Sequence, residues 1–222
     1  MEDMQTLCVS FSGGRTSAYM TKKILDNWSD RFNIIVCFAN TGLENNKTLE
    51  FIHKCDKEFG FNTVWLESKV HHGERKGSTH TVVSYETADR SGRVFEEFIK
   101  KYGIPNTAFL GCTRELKKNP IDSYMRSLGL TPTKTKLAIG IRVDELRRVN
   151  RETASRRNIL YPLIDEWATD KEEILEWWKQ QTFDLNLDEF EGNCKGCYKK
   201  SFNKLFAQID RDPTVFEFHK RM

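Results

Sequence analysis

Nine residues near the start, Val9-Ser10-Phe11-Ser12-Gly13-Gly14-Arg15-Thr16-Ser17, run a short apolar strand into Ser-Gly-Gly, and a helix-like segment over 18–27 follows at once. Two glycines let the backbone turn tightly with no Cβ in the way. Successive N–H groups and a helix N-terminus can then converge on one anion, with the Ser12 and Ser17 hydroxyls as further donors. The turn has the form of a phosphate or pyrophosphate cradle; the plain alternative is an ordinary strand-to-helix turn. The segments that follow bear on the choice. Runs at 6–12, 33–40 and 63–70 are short and rich in β-branched or aromatic residues, and helix-like segments lie at 15–27 and 45–59. Such alternation calls for right-handed parallel crossovers in an open sheet, whose ligands sit beyond the strand C-termini, where Gly13 would lie. A strand over 136–143 and a helix over 170–181 continue the pattern. The expected fold is α/β, an open, doubly wound, mostly parallel sheet with helices on both faces, Rossmann-like. Its nucleotide-binding part spans 1–182 with a lid-like insertion at 71–108, and a C-terminal segment, 183–222, packs on the same domain.

Charge excludes a global polyanion-binding surface: 35 Lys plus Arg against 32 Asp plus Glu leave +3, so any nucleic-acid contact is local. No apolar run approaches the roughly 18 residues that a membrane span needs. The N-terminal stretch Met1-Glu2-Asp3-Met4-Gln5 has neither the basic start nor the apolar run of a signal peptide, so a soluble protein of the cytoplasm, with no membrane partner, is expected. In that compartment the six cysteines are read as thiols, and clustered ones point to metal binding or redox chemistry. Cys8, Cys37 and Cys55 fall inside the regular elements and are expected as small buried residues.

Between 71 and 108 the regular pattern breaks down, apart from an amphipathic run at 94–102, which reads as a lid or substrate loop. His71, His72 and His80 have no partner spacing for a metal and are expected as loop or surface residues. A second cluster is Gly192-Asn193-Cys194-Lys195-Gly196-Cys197. Two cysteines three apart in a glycine-containing turn can direct both sulfurs at one metal, and Lys195, Lys199 and Lys200 should favour thiolate over thiol. A pair cannot close a four-coordinate site. The best third thiolate is Cys112, in Gly111-Cys112-Thr113-Arg114-Glu115-Leu116-Lys117, a basic turn ahead of a helix expected over 120–128. Three thiolates suit zinc with a fourth ligand or a [4Fe–4S] cluster with one open iron. A structural zinc knuckle and a Cys-x-x-Cys dithiol are the alternatives.

Several segments together resemble the phosphoadenosine phosphosulfate (PAPS) reductase family, within the N-type ATP pyrophosphatases and adenine nucleotide alpha hydrolase-like proteins. They are the 12–17 loop, Phe38-Ala39-Asn40-Thr41-Gly42-Leu43-Glu44, the segment from Cys112 to Pro120, Gly140-Ile141-Arg142-Val143-Asp144-Glu145, Tyr161-Pro162-Leu163 and the Cys194/Cys197 turn. The likeness covers most of the chain, and small members of this family are frequent in bacteriophages, where the compartment would be the host cytoplasm. It implies an adenine nucleotide, ATP or PAPS-like, held by Ser10, Ser12, Gly13, Gly14, Arg15, Thr16 and Ser17. Phe38, Asn40 and Thr41 would lie beside the adenine, and Gly140 and Arg142 would lie near the phosphates. Arg15, Ser17 and Arg142 would act in catalysis, and Mg²⁺ would accompany ATP.

Departures from the family pattern redirect the chemistry. Many relatives carry aspartate before the last serine of the loop, where this chain has Thr16, and Arg15 is expected to compensate by charge. No cysteine follows Cys197, whereas sulfite-releasing reductases use one on a C-terminal tail; Thr113 stands where a cluster-bearing reductase would have a second cysteine beside Cys112. Three cysteines match cluster-dependent thiolation enzymes. The favoured expectation is an ATP pyrophosphatase that adenylates a substrate for thiolation or amidation. The alternatives are a sulfonucleotide reductase dependent on an external thiol and a non-catalytic adenine-nucleotide-binding protein. Six arginines at 142–157 form either a groove for nucleic-acid phosphates or a solvated loop, with Asp144, Glu145 and Glu152 weakening the first reading. Trp177 and Trp178 are expected as packing residues.

Overall fold

The apolar run ahead of Ser-Gly-Gly forms β1 (Thr6–Ser10), whose three middle residues are buried because strands flank it on both sides. A computed structural model of the chain describes residues 4–131 and 133–222. Met1, Glu2 and Asp3, which open the stretch weighed as a leader, lie outside the described residues. After β1 come α1 (Arg15–Trp28), β2 (Asn33–Asn40), α2 (Asn46–Phe59), β3 (Val64–Lys69), β4 (Thr79–Val83), α3 (Arg93–Tyr102) and α4 (Asn119–Ser127). Then follow β5 (Lys136–Ile139), α5 (Arg151–Arg157), β6 (Ile159–Leu160), α6 (Pro162–Asp165), α7 (Lys171–Lys179), α8 (Phe202–Arg211) and α9 (Glu217–Arg221).

The strands lie in the order β4-β3-β2-β1-β5-β6. β1 pairs in parallel with β2 and β5, Val9 standing opposite Val36 and Ala138, and β5 pairs in parallel with β6. β3 and β4 are antiparallel. The expected mostly parallel α/β sheet surrounded by helices is the architecture observed.

The chain divides into two compact units, one of residues up to 38, 50–64 and 125–185, the other of 39–49, 65–124 and 186–222. In the first, α1 buries Ser17, Met20, Thr21, Ile24 and Trp28, a stripe at helical spacing. An Asp170/Glu173 capping box starts α7, which buries Ile174 and Trp178. Trp178 meets Trp177, Phe51, Phe59 and Phe183 at ring-centroid distances of 4.8 to 6.0 Å, so the tryptophan pair packs as expected. Truncating so buried an aromatic typically costs about 3–5 kcal/mol.

In the second unit α3 turns Val94, Phe95 and Phe98 onto Leu43 and Leu116. The stretch at 71–108 is more regular than the sequence suggests. It contains β4 as well as α3, and β4 escaped notice because Thr79-His80-Thr81-Val82-Val83 is a half-exposed edge strand with no alternation of apolar residues. The strand expected over 136–143 stops at Ile139. Beyond Gly140, the extended Arg142 starts a tight 3₁₀ segment, Val143–Arg148. Cys8, Cys37 and Cys55 are buried, as expected.

Candidate functional site

In the first unit β1 delivers the chain to Gly13, whose φ of +76° is the left-handed conformation that glycine adopts without strain. Gly14 then caps α1 with no side-chain hydrogen bond, so the first N–H groups of the helix keep their donors, and no acidic residue stands in the first turn. Ser17 organises the loop. Its Oγ accepts from the Ser12 N–H at 3.2 Å, donates to the Gly14 carbonyl at 3.0 Å and lies 2.9 Å from the Ser12 hydroxyl. Gly140 closes against it, for a Cβ there would stand 3.3 Å from the Ser17 Cα. Ser10 aligns with Cys37 and Ile139 at the strand ends.

Two arginines flank this loop differently. Arg142 Nη1 donates to the Thr16 hydroxyl at 3.0 Å and is clamped from the other side by Asp144 at 2.8 Å, whose carboxyl the guanidinium holds below the usual range. Thr16, with a hydroxyl at this position, accepts from the guanidinium and draws it up to the loop. Arg15 is engaged elsewhere. Its Nε and Nη2 donate to both Asp184 oxygens at 2.6 Å, a bidentate pair that the sequence reading missed because the partners are 169 residues apart.

In the second unit the side chains of Asn40 and Thr41 are fully buried and engaged internally. Asn40 Nδ2 donates to Glu67 at 2.7 Å and to the Asp89 carbonyl at 2.9 Å. Thr41 donates through its N–H and hydroxyl to Glu44. Gly42 turns with φ +82°, and a Cβ there would fall 2.3 Å from Asp89 Oδ2, so only glycine fits.

Cys112, Cys194 and Cys197 line one cavity of about 180 Å³ in this unit, with apolar walls that include Leu43, Phe95 and Phe218. Backbone bonds fix the Cys194 turn: Asn45 N–H donates to the Asn193 carbonyl at 2.6 Å and Lys195 N–H to the Leu43 carbonyl at 2.8 Å. Cys112 Sγ lies 3.8 Å from the Tyr198 hydroxyl. Lys117 stands 3.7 Å from Glu44. Desolvation pulls its pKa down, but Glu44 and then the thiols of Cys194, Cys112 and Cys197 outweigh that and raise it.

The expectation that neighbouring lysines favour the thiolate does not hold for Cys194. Burial, followed by the Glu44 charge, pushes its thiol up to about 12 against the pull of Lys117. Among the described residues no group of three or more His, Cys, Asp or Glu side chains is drawn together closely enough to hold a metal ion. The three thiols share a cavity and suit a metal or cluster in donor chemistry, but in this structure they stand apart.

The remaining singled-out residues serve local contacts. His71, His72 and His80 meet Thr79, Glu97 and Ser123. In the 142–157 stretch, Arg148, Arg151 and Arg156 pair with Glu145, Asp165 and Glu152, so much of that charge is neutralised within the unit.

No family model matches the sequence. A relative, the uncharacterized nin region protein ORF290 of Escherichia phage lambda, is 34% identical over 202 residues, which are 89% of this chain and 67% of that protein. Among solved structures, the U34-tRNA thiolase NcsA from Methanococcus maripaludis with its [4Fe-4S] cluster is similar over 98% of this chain and 68% of that one, with a TM-score of 0.50 and 16% identity. PAPS reductase from Candida auris, in a phosphate complex, aligns over 78% of this chain and 71% of that one, with a TM-score of 0.47 and 15% identity. The likeness is one of fold, the adenine nucleotide alpha hydrolase-like arrangement.

Proposed function

Because the chain is a PAPS reductase-like protein belonging to the family of the phage lambda nin region protein ORF290, we propose that it is an ATP pyrophosphatase that adenylates a substrate for thiolation or amidation. The observation that carries this reading is the loop at 12–17. Its hydroxyls are locked by Ser17, its helix N-terminus has no side-chain cap, and Gly140 and Arg142 close on it. In the reaction an acceptor oxygen attacks the α-phosphorus of ATP. The bond to the bridging oxygen breaks, and pyrophosphate leaves with that electron pair. A sulfur or nitrogen nucleophile then displaces AMP from the adenylated acceptor.

The chain's own contribution is electrostatic. The N–H groups of Gly13 and Gly14, the Ser12 and Ser17 hydroxyls and the Arg142 guanidinium hold the leaving phosphates as charge develops on them. Asp184 keeps Arg15 pinned beside the helix start, and Asp144 aims Arg142. Mg²⁺ bound with ATP would neutralise charge on the same phosphate oxygens. Cys112, Cys194 and Cys197 would hold a [4Fe–4S] cluster, or zinc, and the cluster would supply a site for the incoming sulfur. The tRNA thiolase of the same fold supports a nucleic-acid acceptor. The phage relative supports a phage source and a place in the host cytoplasm. No described helix is long and apolar enough to cross a membrane.

A second reading, a sulfonucleotide reductase working with an external thiol, is favoured by one feature. With Thr16 in place of a carboxylate and Arg142 hydrogen-bonded to it, the loop is an anion site that does not call for a metal. Calorimetric binding of Mg-ATP, set against PAPS, on protein purified without oxygen separates the two. Micromolar ATP binding with weak PAPS binding supports the pyrophosphatase. The reverse preference, with sulfite released on adding thioredoxin, overturns it in favour of the reductase.

A further inference from the structure

Glu67 sits on β3 opposite Thr81 and is only 4% exposed, yet half of its carboxyl group is unused. Oε1 accepts both from Asn40 Nδ2 at 2.7 Å and from the Asp89 N–H at 2.6 Å, while Oε2 has no hydrogen-bond donor among the described residues. Among the described residues the sealed side-chain polar atoms without a partner are the hydroxyls of Thr48, Thr63 and Thr135. Glu67 Oε2 is not among these sealed atoms, and Glu67 lines a cavity of about 390 Å³. The walls of that cavity include Val70, Val83 and Val94; exposed Lys69 and Arg93 also line it, as does Glu97, whose carboxylate is paired with Lys100 and His72. Arg93 makes no hydrogen bond or ion pair among the described residues. Burial, the dominant influence, raises the Glu67 pKa, so packing alone gives no reason to keep an acid here. None of these residues belongs to the pyrophosphate loop.

We propose that this cavity is a nucleotide pocket for a base bearing an exocyclic amino group, the amine donating to Glu67 Oε2 and the phosphate meeting Arg93 and Lys69. An open carboxylate oxygen at the buried end, apolar walls and cations at the exposed end match a flat amine-bearing ring with an anion at its far side. The volume suits one nucleotide, at the small end of ligand pockets. An amino acid, whose amine and carboxylate share one carbon, would leave most of it empty. The same chemistry is offered by a free nucleotide and by one residue of a single strand. The inference concerns the second unit alone and does not depend on the reaction proposed above.

The test is calorimetric titration of the whole chain with cytidine and uridine 5′-monophosphates, which differ at the critical position as amine and carbonyl. The wild type should prefer the cytidine compound by about tenfold or more, because the uridine carbonyl faces the carboxylate oxygen. Glu67→Gln keeps the two bonds to Oε1 and places an Nε2 donor where Oε2 stood, so the preference should reverse. Arg93→Ala, at an exposed position, should weaken both ligands by a similar factor and leave their ratio intact. Cytidine hexanucleotide bound about a hundredfold more tightly than the monomer would identify a strand as the source, and equal affinity would identify the free nucleotide. Binding of neither monophosphate nor the hexanucleotide, a preference untouched by Glu67→Gln, or full affinity in Arg93→Ala would overturn the proposal.

Discussion

Replacing Ser17 with alanine removes one oxygen on which the loop converges. That oxygen accepts from the Ser12 N–H, contacts the Ser12 hydroxyl and donates to the Gly14 carbonyl, all within 3.2 Å, in a residue only 4% exposed. Alanine leaves the Ser12 N–H and the Gly14 carbonyl partly desolvated without that partner, a loss of about 1–3 kcal/mol. In a chain of this size each kcal/mol moves Tm by about 2–4 °C, so the variant should melt roughly 2–12 °C lower. The same change slackens the anion cradle, so ATP affinity should fall about tenfold to a hundredfold. Circular-dichroism melting and ATP calorimetry on the same preparation read both effects. A lower affinity with an unchanged Tm would refute the argument that Ser17 organises the loop, leaving it only a ligand contact. Unchanged values of both would remove the loop from the proposed site.

Three further outcomes follow from the same geometry. Gly140→Ala brings a Cβ to 3.3 Å from the Ser17 Cα and 3.6 Å from its nitrogen, and should cost about 1–3 kcal/mol in denaturant unfolding while weakening ATP binding. Asp184→Asn releases Arg15 from a pair whose side chains are 25% and 34% exposed; stability should change by less than about 1 kcal/mol, and calorimetry should find ATP bound more tightly. Burial raises the Glu115 pKa, but Arg114, Ser78 and Asn119 outweigh it and hold the carboxyl below its ordinary 4.5, so ionised Glu115 stabilises the fold above that pH and the contribution fades as pH falls through the folded value. Glu115→Gln should therefore lower Tm at neutral pH and flatten its decline below about 4.5, read from melting curves across the acid range.

Features carried by adjacent residues were legible in the chain. Gly13 and Gly14 after an apolar run announced the turn, and the 33–40 strand matches β2 end to end because its apolar content and flanking polar residues are local signals. α1 and α3 were visible from apolar spacing, and Cys194 and Cys197 from their own turn. β4 was not, since an edge strand needs no buried face to announce it. The thiolate expectation failed at Cys194 because a sequence counts neighbouring lysines but neither the burial of the cysteine, the larger cause, nor Glu44, which a β-bridge brings alongside it.

By itself the sequence determined the parallel α/β order, the place of the Ser-Gly-Gly turn at the end of β1 and the Cys194/Cys197 turn, since each follows from periodicity, backbone freedom or spacing along a few residues, whereas Cys112 proved to lie at the start of a helical run. The tertiary structure decided how the side chains are engaged. Arg15 pairs with Asp184, Arg142 with Thr16 and Asp144, Asn40 with Glu67, and one oxygen of Glu67 remains open. Most of these partners are distant in the chain, and the strength of each contact depends on burial and charge that exist only once the chain has folded.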